Sequence, residues 1–295
     1  MKYKYLSYHY IVVNDIMTVQ PFTSVTEDGL LLDGKLYLPN ERPTKAIIHV
    51  HGWGDTHYTW QDGSPMQFVT ALAETAGKKG YAFLSVNNRG YGLESKHEIF
   101  EDCVLDIRSY LDGLEEMGCS SVILEGHSTG ANKVAHYEVA TGDKRFNALS
   151  LLSPTDDVGL HRHNPRKNNL EKNLTIAREF VDMGKGTQIM EGAYFGKDIS
   201  ARSYYNTLNP SSCHAIFNYS TGNFRTLSEI QIPKLAVFGS NDGFQINPTP
   251  REALEMLDKL HNMRTVLIEG ASHRLDDRKT ELARVVEEWL KELDV

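Results

Sequence analysis

The chain has 295 residues, of which 40% are hydrophobic and 24% charged, the ordinary balance of a globular protein able to bury its own core. A net charge of −8 argues against a nucleic-acid partner. Three widely spaced cysteines, Cys103, Cys119 and Cys213, exclude a disulfide framework or a zinc ribbon and fit a reducing compartment.

The amino terminus, Met1 to Tyr5, begins with charge. The apolar stretch Tyr10–Val13 is too short for a signal sequence and is interrupted by Asn14 and Asp15. No run approaches the roughly 20 apolar residues of a membrane span, so the expectation is a cytoplasmic protein without a membrane partner. Residues 30–38 read as a strand ending at Pro39, and 46–50 as a buried strand. Residues 66–79 place Phe68, Leu72 and Ala76 at helical spacing and stop at Gly80. Strand 82–86 follows, then a helix whose face is Val104, Ile107, Leu111 and Leu114, closed by Gly118. Strand 122–124, helix 131–140 and strand 148–152 continue the alternation. Strands at 235–238 and 265–268 and a final helix through Leu282, Val285, Val286, Trp289 and Leu290 complete it. Such alternation predicts an α/β fold with a mostly parallel sheet covered on both faces.

Between Thr155 and Ile232 the strand signals vanish. A structureless loop of that length is improbable in a compact domain. The stretch is therefore expected to hold helices, among them 169–183, forming a cap over the carboxyl edge of the sheet. The expected division is a core of residues 1–154 and 233–295 with a cap insertion at 155–232.

The most informative motif is Gly126-His127-Ser128-Thr129-Gly130, G-x-S-x-G between a strand and a helix. Its glycines leave room for a sharp turn that lifts the Ser128 oxygen clear of the backbone, and the following helix aims free N–H groups at any oxyanion formed there. A serine hydroxyl needs a base within reach, and the base needs an orienting acid. Two later loops after strands supply them: Gly239-Ser240-Asn241-Asp242-Gly243 and Gly270-Ala271-Ser272-His273. Asp242 can also serve as a turn cap, and Asp156 and Asp157 are rival acids. The expected oxyanion donors are the backbone N–H groups of Thr129 and of Trp53, with Gly52 or Gly54 as alternatives to Trp53. His127 and His51 read as packing or anchoring residues. His161 and His163, with distant His214, hint at a metal, but the Arg162, Pro165, Arg166 and Lys167 around them favour a solvated basic loop. The aromatics Tyr194, Phe195, Tyr204, Tyr205, Phe217 and Tyr219 are candidates either for a substrate pocket or for cap packing. The run Asp276-Asp277-Arg278-Lys279 reads as a helix start facing water, and Cys103 and Cys119 as inert core thiols.

These motifs together resemble the serine hydrolases of the α/β-hydrolase superfamily over residues 23–154 and 233–293. Arg89-Gly90-Tyr91-Gly92-Leu93-Glu94-Ser95 is similar to a segment many members carry after the fourth strand, with one extra residue before the serine. The Gly-His-Ser-Thr-Gly elbow is similar to that of fungal siderophore-ester hydrolases and feruloyl-type esterases. Trp53 stands where the glycine-rich oxyanion loop of other members has a glycine. This favours the narrower-pocket type. The resemblance implies a small-molecule carboxylic ester as substrate, hydrolysed through Ser128, His273 and Asp242 and an acyl-enzyme, with no metal or organic cofactor. An amidase, peptidase, acyltransferase or lactone hydrolase with the same three residues stays open.

Overall fold

The computed structural model describes residues 11–14, 17–163 and 169–293. The amino terminus up to Tyr10 and the Pro165–Lys167 part of the basic loop lie outside them. The strands are β1 (Ile11–Asn14), β2 (Met17–Val25), β3 (Leu31–Pro39), β4 (Lys45–Val50), β5 (Tyr81–Val86), β6 (Ser121–His127), β7 (Phe146–Leu152), β8 (Ile189–Tyr194), β9 (Lys197–Ser200), β10 (Lys234–Gly239) and β11 (Met263–Ile268). The helices are α1 (Gln67–Lys78), α2 (Cys103–Glu116), α3 (Thr129–Thr141), α4 (Asp157–His163), α5 (Leu170–Asp182), α6 (Ala201–Leu208), α7 (Arg225–Glu229), α8 (Pro250–Leu257) and α9 (Lys279–Leu293). Among the described residues, nine strands form one sheet in the order β1-β2-β3-β5-β4-β6-β7-β10-β11. From β5 to β11 every neighbouring pair is parallel, and β1, β2 and β3 join antiparallel at one edge.

Residues along the buried strands alternate between two apolar layers, as the two-residue period of a strand requires. Ala46, Ile48 and Val50 of β4 face the layer beneath α2, α3 and α8; Ile47 faces the layer beneath α1 and α9. Because both faces are covered, the central strands read as continuous apolar runs rather than alternating ones. The amino-terminal strand β2 carries no such run. β2 alternates half-exposed positions and contains Pro21, so its sequence gave no strand signal. No helix among the described residues is long and apolar enough to cross a membrane.

Two expectations need correction. The segment after β7 does hold helices, α5 falling at Leu170–Asp182, but it also carries the antiparallel hairpin β8–β9. Phe217, Tyr219, Phe224, Leu227 and Ile230 pack into the main sheet core, whereas Val158, Leu170, Ala177, Met190, Tyr194, Ile199, Tyr204 and Leu208 form a separate cluster. In the run expected to face water at a helix start, Asp277 and Arg278 are exposed, but Asp276 is half-buried. Its carboxylate accepts from the Trp60 indole N–H at 2.7 Å and from the Phe68 backbone N–H at 2.7 Å, tying the start of α1 to the loop before α9. A carboxylate on the first-turn N–H of Phe68 also suits the positive end of the helix.

Candidate active site

Ser128 stands between β6 and α3 with φ 56° and ψ −126°, a backbone region that side chains other than glycine rarely adopt. Two absences of side chain make that turn possible. A Cβ on Gly126 would lie 2.3 Å from the Gly130 backbone, and a Cβ on Gly130 would lie 2.1 Å from the carbonyl oxygen of Val50. Both are well inside van der Waals contact, so α3 can begin directly against β4 and β6 only with glycine at these positions. The Ser128 N–H donates to Leu152 O at 2.8 Å, which fixes the turn to the end of β7.

Beside it lies His273, in the loop after β11. Its Nε2 accepts from the Ser128 hydroxyl at 3.0 Å, and its Nδ1–H donates to both oxygens of Asp242, at 2.9 and 2.8 Å. Asp242 sits in the loop after β10 and is held by the Phe244 N–H, which donates to Oδ1 at 2.8 Å. The Asn241 N–H donates to Ala271 O at 2.9 Å and binds the two loops together. The imidazole is steadied from below. Buried His127 donates from Nε2 to the His273 carbonyl at 2.8 Å, its ring 5.0 Å from that of His273. Burial pushes the affinity of His127 for a proton well below normal, and the neighbouring His273 ring acts in the same direction.

The rival acids are engaged elsewhere. Asp156 accepts from the Gly159 and Ser220 N–H groups at 2.7 and 3.0 Å, which closes the first turn of α4. Asp157 accepts from His214 Nε2 at 2.7 Å and from the Tyr194 hydroxyl at 3.0 Å. An imidazole at hydrogen-bond distance from a hydroxyl, with a carboxylate behind it, can take the hydroxyl proton as a bond forms and be held in the required tautomer while it does so.

On the opposite side the loop after β4 brings Gly52 against the Ser128 Cβ. Among the described residues, the backbone N–H groups of Trp53 and Thr129 have no protein acceptor. The loop is braced on all sides. His51 donates from Nδ1 to Gly52 O at 2.7 Å and accepts from Asn88 N at 3.3 Å. The Trp53 indole donates to Ser95 O at 3.1 Å, and Gly92 N donates to Asp55 O at 3.0 Å, so the Arg89–Ser95 segment buttresses the loop. Arg89 itself pairs with Asp28 and Asp106. The Trp53 carbonyl accepts from the Gln61 side chain. Asp55, buried in this loop, has its carboxyl pushed up to about 7 by burial.

This architecture has wide company. The alpha/beta hydrolase family model matches residues 47–285. The chain belongs to the alpha/beta hydrolase family. A thermostable carboxyl esterase from Bacillus coagulans shares the fold with a TM-score of 0.70 at 14% identity, covering 94% of this chain and 99% of that one. Est1E of Butyrivibrio proteoclasticus, solved with ferulic acid bound, aligns with a TM-score of 0.60 at 16% identity over 96% of this chain and 98% of its own. DcsB, solved with a substrate analogue, aligns with a TM-score of 0.66 at 16% identity over 93% and 98%. No curated protein matches the sequence.

Within this hydrolase the aromatics expected to line a pocket divide. Tyr194 is buried, its ring 4.6 Å from that of Trp53. Phe195 packs on His161 at 3.9 Å, while Tyr204 is enclosed in the cluster formed by α5, α6 and the hairpin, with half-buried Tyr205 against it. Phe217 and Tyr219 lie in the sheet core. The aromatic nearest the imidazole is one that sequence reasoning missed. Phe244 is 49% exposed, with its ring 4.5 Å from that of His273. Its place two residues after Asp242, in a turn otherwise polar, was the available signal. His161 and His214 are buried in the segment after β7, and His163 is exposed. Among the described residues no group of three or more histidine, cysteine or acidic side chains could hold a metal ion.

Proposed function

We propose that the chain is a serine hydrolase of small carboxylic esters. The observation that carries this reading is the line from the Ser128 hydroxyl through His273 to Asp242. Ser128 attacks the acyl carbonyl while His273 Nε2 takes its proton. Asp242 stabilises the imidazolium so formed. The developing oxyanion is met by the N–H groups of Trp53 and Thr129, the latter at the positive end of α3. The alcohol leaves with the proton from His273. Water, activated by the same imidazole, then releases the acid and restores Ser128.

The separate cluster of α4–α6 and the hairpin acts as a cap over this edge, meeting the site through Tyr194 on Trp53. A reducing, cytoplasmic setting fits the three unpaired thiols, two of them buried. The test is labelling with a fluorophosphonate probe alongside turnover of a panel of short, long and aromatic esters. The expected result is label on Ser128 and turnover lost in Ser128→Ala. A folded Ser128→Ala protein that still turns over esters at the native rate refutes the reading.

A further inference from the structure

Beyond the oxyanion corner, a narrow cavity of about 10 Å³ runs under α6, with room for roughly one water-sized group. Its near wall is Trp53 and Thr129, the same two residues whose N–H groups face the developing charge. Its far wall is polar. Lys133 follows Thr129 by one helical turn on the same face of α3 and is 1% exposed, its ammonium paired with Glu98. His214, 3% exposed, is stacked on Phe100 at 4.3 Å and donates from Nε2 to Asp157, which leaves Nδ1 turned away from that carboxylate and, in the neutral ring, free to accept.

Among the described residues, two of the lining groups are buried without a partner: the Thr129 hydroxyl, in a residue 4% exposed, and His214 Nδ1. Native proteins seldom leave such atoms unpaired. Together they form a built set of opposite needs. The Thr129 hydroxyl and the Lys133 ammonium can donate, and His214 Nδ1 can accept. Because Glu98 pairs with the Lys133 ammonium and the carboxylate of Asp157 lies just behind His214, the cavity offers no free cation for a carboxylate to answer. A neutral oxygen that accepts and donates at once satisfies it.

We infer that this cavity is an acyl-side subsite for the hydroxyl of a short hydroxy-acid ester, read by Thr129, Lys133 and His214. The inference rests on the esterase reading above and narrows its substrate. A site built to hydrogen-bond a hydroxyl rejects the isosteric methyl analogue, because its own polar groups are then left buried and unpaired.

The experiment compares two isosteric pairs, ethyl glycolate with ethyl propionate and ethyl 3-hydroxypropionate with ethyl butyrate. Each kcat/KM is divided by the rate of the same ester with hydroxide, to remove intrinsic reactivity. The hydroxyl member of at least one pair is expected to be favoured by about 10²-fold. That ratio is expected to fall towards one in Thr129→Val and in the paired change Glu98→Gln with Lys133→Gln, which keeps the cavity neutral. A wild-type ratio near one in both pairs overturns the inference and leaves the cavity a water site only, and this result does not depend on any variant folding. A high ratio unchanged in both folded variants overturns it as well. If Ser128 takes the fluorophosphonate and the methyl members are hydrolysed, the esterase reading survives either failure. If no ester is turned over the inference falls, and if Ser128 is also unlabelled the esterase reading falls with it.

Discussion

At the rim of the sheet, backbone fixes the chemistry. Ser128 hangs on a turn closed by the Leu152 carbonyl and cleared by two glycines, and Asp242 and His273 sit on loops that bond to each other through Asn241 and Ala271. In the segment of α4–α6 and the hairpin, side chains hold one another instead. Tyr194 reaches Asp157, Asp157 holds His214, and His214 lies flat on Phe100. The difference shows where precision comes from. Backbone clearance leaves no alternative arrangement, whereas a side-chain chain can be retuned link by link.

Changes at the rim should therefore cost activity, and changes in the segment of α4–α6 and the hairpin should mostly shift specificity or stability. The largest expected effect is Ser128→Ala, a loss of about 10⁶-fold in kcat on an ester with an unaltered circular dichroism spectrum. Next, Asp242→Asn should lower kcat by about 10⁴-fold because the imidazole loses its tautomer. Asp156→Asn should lower it less than about tenfold, since Asp156 only closes a helix turn. The reverse ordering would move the acid to the cap side and break the comparison.

Gly130→Ala should destabilise the fold by at least about 3 kcal/mol, because the methyl group meets the Val50 carbonyl. A denaturation midpoint equal to wild type would mean that the turn yields where the clearance forbids it.

Asp55 gives a pH-dependent test. Its carboxyl is raised from 3.8 to about 7 in the folded protein. As pH rises through that window the unfolded chain gives up the proton first, so stability falls, and the penalty is complete above about pH 7. Asp55→Asn removes the penalty. The variant should match wild type near pH 4 and exceed it at pH 8 by up to about 4 kcal/mol, read from urea midpoints at the two pH values. The smallest effect belongs to the segment of α4–α6 and the hairpin. Tyr194→Phe deletes one hydrogen bond to buried Asp157 and should cost about 1–2 kcal/mol, with kcat little changed.

The elements that position the site were legible because each carries its own local signal. The Val122–Leu124 run, the glycine pair around Ser128, and the apolar strands that end before Asp242 and His273 obey periodicities set by backbone geometry alone. The hairpin β8–β9 was not legible. Its residues Ile189–Tyr194 include Glu191 and Gly192 and lack a two-residue alternation, and the strands pair beside α6, far along the chain from the sheet. The buried row His49–Glu125–Ser150 was hidden for a related reason. A glutamate inside an apolar strand looks like a solvent-facing position until its partners on β4 and β7 are known, at 3.1 and 3.0 Å. Likewise Asp276 looked solvated in a run of charges, and only the arrival of α1 gave it donors.

The flush contact between the first turn of α3 and strand β4 separates two kinds of heritable change. The side chain of residue 128 projects from a frame that its own backbone helps to build but its side chain does not, so one substitution there can exchange the hydroxyl for a sulfur or a carboxylate. Altering the frame demands that a strand and a helix move apart in concert. Such a scaffold can acquire new chemistries by single steps while its geometry stays unchanged through all of them.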